Sequence, residues 1–297
     1  MELDLPTGRL RCDPARPLLM GILNCGLDSV ADGIVLPDAD ARVRRGEELA
    51  AAGAQIVDVG AISGRTDTPA LSEADEIALV EPVVRALAAA GITVSVDTWR
   101  PGVVAAVLEA GAAIVNDVSG LADPAVVRLA ARHRAGLVIM HTRTSPKQRA
   151  FPGYDDPVAD VVRLLGERIE TALELGVRPE QIIVDPGLDY AKTPDESVAV
   201  LRGLDELETF GRPILLAVSR KYFLGMITGG RPQQRLPATL AAIQFGLSRG
   251  AAILRVHDVA EVAEFLSVAL ALPGEDRVAM RGDPRDEDLM WIAPKLA

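Results

Sequence analysis

The sequence predicts an α/β fold of the (β/α)8 TIM barrel type, in a single domain, and three observations carry that prediction. Eight short β-branched or apolar runs alternate with Ala-, Leu-, Glu- and Arg-rich segments of helical periodicity. No Gly-x-Gly-x-x-Gly follows the first run, which disfavours a doubly wound dinucleotide fold. Polar residues collect at the C-terminal ends of the runs, where barrels of this type build their active sites.

The elements follow in order after a short lead over residues 1–17. The strands are read at Leu18 to Leu23, Ile56 to Val59, Thr93 to Val96, Ala113 to Val115, Leu137 to Met140, Ile182 to Val184, Ile214 to Val218 and Ile253 to Val256. The helices between and after them are read at Ala39 to Ala52, Ser72 to Ala90, Pro101 to Ala110, Pro124 to His133, Pro157 to Leu175, Pro194 to Thr209, Pro237 to Arg249 and Val259 to Leu270. Five of these helices open with proline, which suits the first turn because its missing N–H costs no hydrogen bond there. The barrel is expected over 18–273, with a polar tail rich in Asp and Arg over 274–297.

With 297 residues, 49% of them hydrophobic, the chain has enough apolar surface to bury a large core. The net charge of −11 argues against nucleic acid, whose phosphates select clustered Lys and Arg. An anionic ligand must therefore be held by a local group of cations. No run reaches the roughly 18 apolar residues of a membrane span, and Glu2 and Asp4 stand where a secretory signal would be basic, so no membrane partner and a cytoplasmic location are expected. Cys12 and Cys25 are too few for a disulfide framework and are read as reduced thiols.

Every strand end carries a hydrogen-bonding or charged group. Asn24 ends the first strand; Asp58 lies inside the second, with Arg65 on the loop after it; Asp97 ends the third; Asn116 and Asp117 end the fourth. His141 ends the fifth, Asp185 the sixth, Ser219-Arg220-Lys221 the seventh, and Arg255 with His257 the eighth. Two of the three histidines fall at strand ends, whereas His133 lies on a helix. Polar strand ends are common, so a single residue here says little; the whole set says more. Asp97, Asn116 and Asp185 supply the acceptors and the amide that pair with a flat heterocycle bearing amino and ring N–H groups, and Lys221 meets its carbonyl. Arg255, His257, Arg65 and Asn24 suit a phosphate-type anion and, through the Asn24 oxygen, a hard cation such as Mg²⁺. Asp58 is read as structural, holding loop backbone. Of Ser219 and Arg220, one is read as a cap and the other as half of a buried pair.

These residues sit in runs that resemble the dihydropteroate synthase family. The resemblance spans about Leu18 to Leu270 and rests on Met20-Gly21-Ile22-Leu23-Asn24 with Asp28-Ser29 and Asp32-Gly33, Val57-Asp58-Val59-Gly60 with Ser63 and Arg65, and Ser95-Val96-Asp97-Thr98. It continues through Ile114 to Gly120, Met140-His141, Asp185-Pro186-Gly187 with Lys192-Thr193, Ser219-Arg220-Lys221 and Arg255-Val256-His257-Asp258. It implies a dimeric barrel that joins 6-hydroxymethyl-7,8-dihydropterin diphosphate to p-aminobenzoate with loss of pyrophosphate, assisted by Mg²⁺ and cationic side chains. Carried over residue by residue, Asp97, Asn116, Met140, Asp185 and Lys221 would bind the pterin. Asn24, Arg65, Arg255 and His257 would hold the diphosphate, with Asn24 on the metal. Asp28, Asp32, Arg65 and Lys221 would serve the reaction, and Val30, Ser63, Ser219 and Tyr222 would line the aminobenzoate pocket.

Departures concentrate in the first two loops. Gly26 and Val30 stand where a threonine and a phenylalanine are usual in Cys25-Gly26-Leu27-Asp28-Ser29-Val30, and Gly60-Ala61-Ile62-Ser63-Gly64-Arg65-Thr66 loses a glutamate, a threonine and a proline. Val30 removes an aromatic wall, and the glycines remove hydroxyls while loosening the chain. Asp189 stands where the family usually has glycine, placing a carboxylate that either adds a hydrogen bond at the pterin edge or repels a phosphate. The altered pocket is compatible with sulfonamide insensitivity, with another acceptor amine, or with a pterin-binding paralogue that lacks turnover. A methyltetrahydrofolate-dependent methyltransferase barrel is disfavoured by the cationic runs at the last two strands.

Overall fold

The computed structural model of the chain describes residues 1–26, 36–62, 71–148 and 150–272. An N-terminal hairpin, β1 (Glu2–Leu5) and β2 (Gly8–Arg11), precedes a closed parallel barrel. The barrel strands are β3 (Leu18–Asn24), β4 (Ile56–Gly60), β5 (Thr93–Asp97), β6 (Ile114–Asp117), β7 (Gly136–Met140), β8 (Ile182–Asp185), β9 (Ile214–Leu216) and β10 (Ala251–Val256), with β10 closing onto β3. Around them run α1 (Ala39–Ala51), α2 (Glu73–Ala89), α3 (Pro101–Glu109), α4 (Pro124–His133), α5 (Pro157–Glu174), α6 (Pro194–Arg202), α7 (Tyr222–Thr228), α8 (Leu236–Leu247) and α9 (Val259–Ala269). The predicted barrel is therefore present, one strand for each run.

Side chains on a strand alternate between two faces, and here the two faces feed two separate cores. Leu19, Val57, Val94, Val115, Leu137 and Leu254 point outward to the helices and share one buried cluster. Met20, Ile56, Ile114, Val138, Ile183, Leu215 and Ile253 point inward and share a second. Helix starts are fixed locally: the side chains of Asp38, Ser72, Asp123, Asp156 and Thr193 each accept a backbone N–H of the first turn.

Three features depart from the sequence reading. The lead is a structural element: Leu3, Leu5 and Cys12 join the inward cluster and plug the N-terminal end of the barrel. Gly136 makes room for this plug, since a Cβ there would lie 2.8 Å from Leu5 Cδ2. The helix expected over Pro194 to Thr209 stops at Arg202, and a 3-10 turn (Leu204–Phe210) follows Gly203. Gly203 packs on α5, where a Cβ would come within 2.8 Å of Val158. Lastly, β9 ends at Leu216 rather than Val218, and α7, absent from the sequence reading, precedes α8. Both cysteines are free and buried, as expected.

Candidate active site at the barrel mouth

Two residues above the inward layer, six of the eight barrel strands place a functional side chain. Ile56 gives way to Asp58, Ser95 to Asp97, Ile114 to Asn116, Val138 to Met140, Ile183 to Asp185 and Ile253 to Arg255. The register sets Gly60, Asp97 and Asn116 side by side on β4, β5 and β6, and Met140 beside Asp185 on β7 and β8.

Arg255 is the hub of this layer. Its Nε donates to Asp58 Oδ2 at 2.6 Å and its Nη2 to Asp97 Oδ2 at 2.9 Å. The same Asp58 oxygen accepts Asn116 Nδ2 at 3.1 Å. Asp58 therefore holds two side chains of the site rather than loop backbone, which corrects the sequence reading. The inward alternation along β4 is the signal that would have found it. Burial works against the charge of Arg255, but Asp58 and Asp97 outweigh it and hold its pKa above the ordinary value. Burial also pushes the Asp97 and Asp185 carboxyls upward; at Asp97 it is opposed by Arg255 and reinforced by Asp58.

Asp185 begins a tight turn in which its Oδ1 accepts the Gly187 N–H at 2.7 Å. Only glycine fits at 187: its φ is +65°, and a Cβ would lie 1.9 Å from the His141 carbonyl oxygen. From the next loop, Lys221 Nζ donates to the Leu188 carbonyl at 2.9 Å and lies 4.5 Å from the centre of the Tyr190 ring. Burial pushes the Lys221 ammonium down, and Asp189, Asp185 and Asp97 pull it back up.

A cavity of about 300 Å³ opens between β3, α1 and the start of α9, lined by Asn24, Arg220 and His257 among others. The Ser219 hydroxyl lies 2.9 Å from His257 Nδ1 and accepts the His257 backbone N–H at 3.2 Å. Ser219 thus fastens both the ring and the backbone of His257. Ser219, assigned to the aminobenzoate pocket from the sequence, stands here against His257, which lines the cavity. Arg220 makes the ion pair, with Asp258, at 3.1 Å through Nε, and the pair is half-buried rather than buried.

The aromatic ring against Lys221 belongs to Tyr190, which the sequence reading passed over. Tyr222, assigned to the pocket, is 44% exposed on the first turn of α7. His141 also turns away from the mouth. It is fully buried, with Nε2 3.0 Å from Asp160 and Nδ1 2.8 Å from Lys192 Nζ. Lys192 also donates to the Gly187 carbonyl at 2.8 Å and the Tyr190 carbonyl at 3.2 Å, so its three donors are all used in fastening the loop after β8. Asp28, Val30, Asp32, Ser63 and Arg65 lie outside the described residues.

The model of the family described as "Pterin binding enzyme" matches residues 20–257. The dihydropteroate synthase of Mycobacterium leprae is 41% identical over 259 residues, covering 84% of this chain and 91% of that one. The chain belongs to the dihydropteroate synthase family. Two solved dihydropteroate synthases share the fold over nearly their whole length. That of Xanthomonas albilineans with 4-aminobenzoic acid is 36% identical, with a TM-score of 0.84 and coverage of 93% of this chain and 99% of that one. That of Yersinia pestis with a sulfonamide drug is 33% identical, with a TM-score of 0.86 and coverage of 92% and 99%.

Proposed function

We propose that this chain condenses 6-hydroxymethyl-7,8-dihydropterin diphosphate with p-aminobenzoate to give dihydropteroate and pyrophosphate, a step of folate biosynthesis. The observation that carries the reading is the layer Asp58, Asp97, Asn116, Asp185 and Arg255 with Lys221, set beside the cavity of Asn24 and His257. Asp97, Asn116 and Asp185 receive the amino and ring N–H groups of the pterin, Lys221 donates to its carbonyl, and Met140 packs beneath it. Asn24, Arg255 and His257 hold the diphosphate. The bond from the exocyclic methylene carbon to the diphosphate oxygen breaks, and pyrophosphate leaves with the electron pair. As it leaves, or after it has left, the arylamine nitrogen bonds to that carbon and then gives up a proton. Cations around the leaving oxygens stabilise the charge that develops there.

Among the described residues no three His, Cys, Asp or Glu gather as a metal cluster. The single amide oxygen of Asn24, in a cavity that also holds Arg220 and His257, suits a Mg²⁺ that arrives on the diphosphate with most of its ligands already supplied. Such an ion adds charge neutralisation at the leaving group. Asp28, Asp32 and Arg65 are assigned to the reaction, and Val30 and Ser63 to the aminobenzoate pocket, on the family resemblance alone. We further infer a homodimer, supported by Met226 and Ile227, which α7 leaves 57% and 66% exposed. A cytoplasmic location is supported by the two free thiols, and no helix among the described residues is long and apolar enough to cross a membrane.

The test is mass-spectrometric product detection with purified protein, Mg²⁺, the pterin diphosphate and p-aminobenzoate, beside a no-amine control and a sulfonamide titration. Dihydropteroate formation that collapses in Asp185→Ala and Arg255→Ala is expected, and full activity in either variant overturns the residue assignment. Pyrophosphate release without dihydropteroate means another acceptor, and pterin binding without release means a binding-only paralogue. The altered loops predict weak sulfonamide inhibition.

A further inference from the structure

Asp189 adopts a left-handed backbone, with φ +65°, at a position the family usually gives to glycine. That conformation is disfavoured for a residue with a Cβ, so the side chain must make up for it. Its carboxylate accepts the backbone N–H groups of Tyr222 and, at 3.2 Å, Phe223, the two residues that follow Lys221. Ser197 of α6 fastens it from behind: the Asp189 N–H donates to Ser197 Oγ at 3.1 Å, and that hydroxyl lies 3.4 Å from Asp189 Oδ1. On either side of Asp189 the chain grips the Lys221 ammonium, through the Leu188 carbonyl and the face of the Tyr190 ring. The carboxylate is thus used within the protein.

We propose that Asp189 is a positioning residue for Lys221: by clamping the loop after β8 to the first turn of α7, it holds the Lys221 ammonium in the barrel mouth. The proposal rests on the reading of Lys221 as a pterin-binding lysine for its kinetic consequence, but not for the clamp itself. Several charges face Lys221. Asp189 and Asp185 favour its protonated form from the β8 side and Asp97 from β5, while Arg255 on β10 and Lys192 on the β8 loop oppose it. Asp189 is the strongest of the carboxylates in this balance. Asp189→Asn keeps one accepting oxygen, removes the charge and moves the Lys221 titration to lower pH. In Asp189→Gly the backbone relaxes and both amides of α7 lose their acceptor.

Lys147, Lys192, Lys221 and Lys295 are the four lysines of the chain, so each can be followed separately by peptide mass spectrometry after brief acetic anhydride labelling across a pH series. In the full chain, Asp189→Asn is expected to move the Lys221 labelling midpoint to lower pH, so that Lys221 labels faster at a fixed pH on the rising limb. Thr193→Ala, which removes the cap of α6 in the same loop without touching Lys221, should leave that midpoint in place. In turnover assays the alkaline limb of kcat/KM for the pterin diphosphate should move down with the labelling midpoint in Asp189→Asn. An unchanged Lys221 midpoint in both Asp189→Asn and Asp189→Gly overturns the proposal, as does an equal shift in Thr193→Ala. Labelling needs no turnover, so a chain that makes no dihydropteroate defeats the functional reading while the clamp is still decided.

Discussion

Asp58→Ala removes the one carboxylate that binds both Arg255 and Asn116 inside the barrel. Asp58 is fully buried, and its Oδ2 accepts Arg255 Nε at 2.6 Å and Asn116 Nδ2 at 3.1 Å. The variant leaves Arg255 with Asp97 alone and Asn116 with an amide donor aimed at empty space. Breaking a buried ion pair from one side costs about 3–5 kcal/mol, because the surviving charge stays desolvated. For a chain of this size that is a fall in Tm of about 5–8 °C. Arg255→Met should cost a similar amount for the converse reason, since Asp58 and Asp97 then face each other without a cation. The double variant removes both stranded charges and is expected to lose about 2 kcal/mol or more less than the sum of the two. Urea titration followed by circular dichroism, with the m-value unchanged, measures all three. A loss below about 1 kcal/mol for Asp58→Ala, within the range of an ordinary surface change, would refute the argument that this pair holds the barrel mouth; so would an additive cycle.

Two further outcomes follow from the loop after β8. Gly187→Ala sets a Cβ against the His141 carbonyl in a left-handed conformation, so the turn that orients Asp185 must move; calorimetric titration with the pterin diphosphate should give a Kd at least about tenfold weaker, and an unchanged Kd contradicts the placement. His141 has its pKa lowered to about 4, from 6.5, by burial and then by Lys192. The unfolded chain therefore binds the proton first on acidification. The contribution of the neutral ring is complete above pH 6.5 and is lost as pH falls through about 4, reaching about 3 kcal/mol at most. Ring resonances of the three histidines report this directly, and a His141 titration centred near 6.5 contradicts it.

The sequence by itself determined the barrel, its eight strands to within a few residues, and which residues end them. Those features are written in local periodicity, in proline at helix starts and in the step from apolar to polar along each strand. Asp97, Asn116, Asp185 and Arg255 could be named as a set because a parallel barrel sends every such strand end to one face. Tertiary structure alone decided the partnerships. Asp58 reaches Arg255 across 197 positions of chain, Lys192 turns His141 away from the mouth, and Asp189 turns to the amides of α7. The plug formed by Leu3 and Leu5 is of the same kind: four-residue strands carry too little pattern to be read locally, and only the open end of a closed barrel supplies the apolar surface that makes them stable. Periodicity records which face a side chain takes, whereas a hydrogen bond between distant residues depends on the closure of the whole ring of strands.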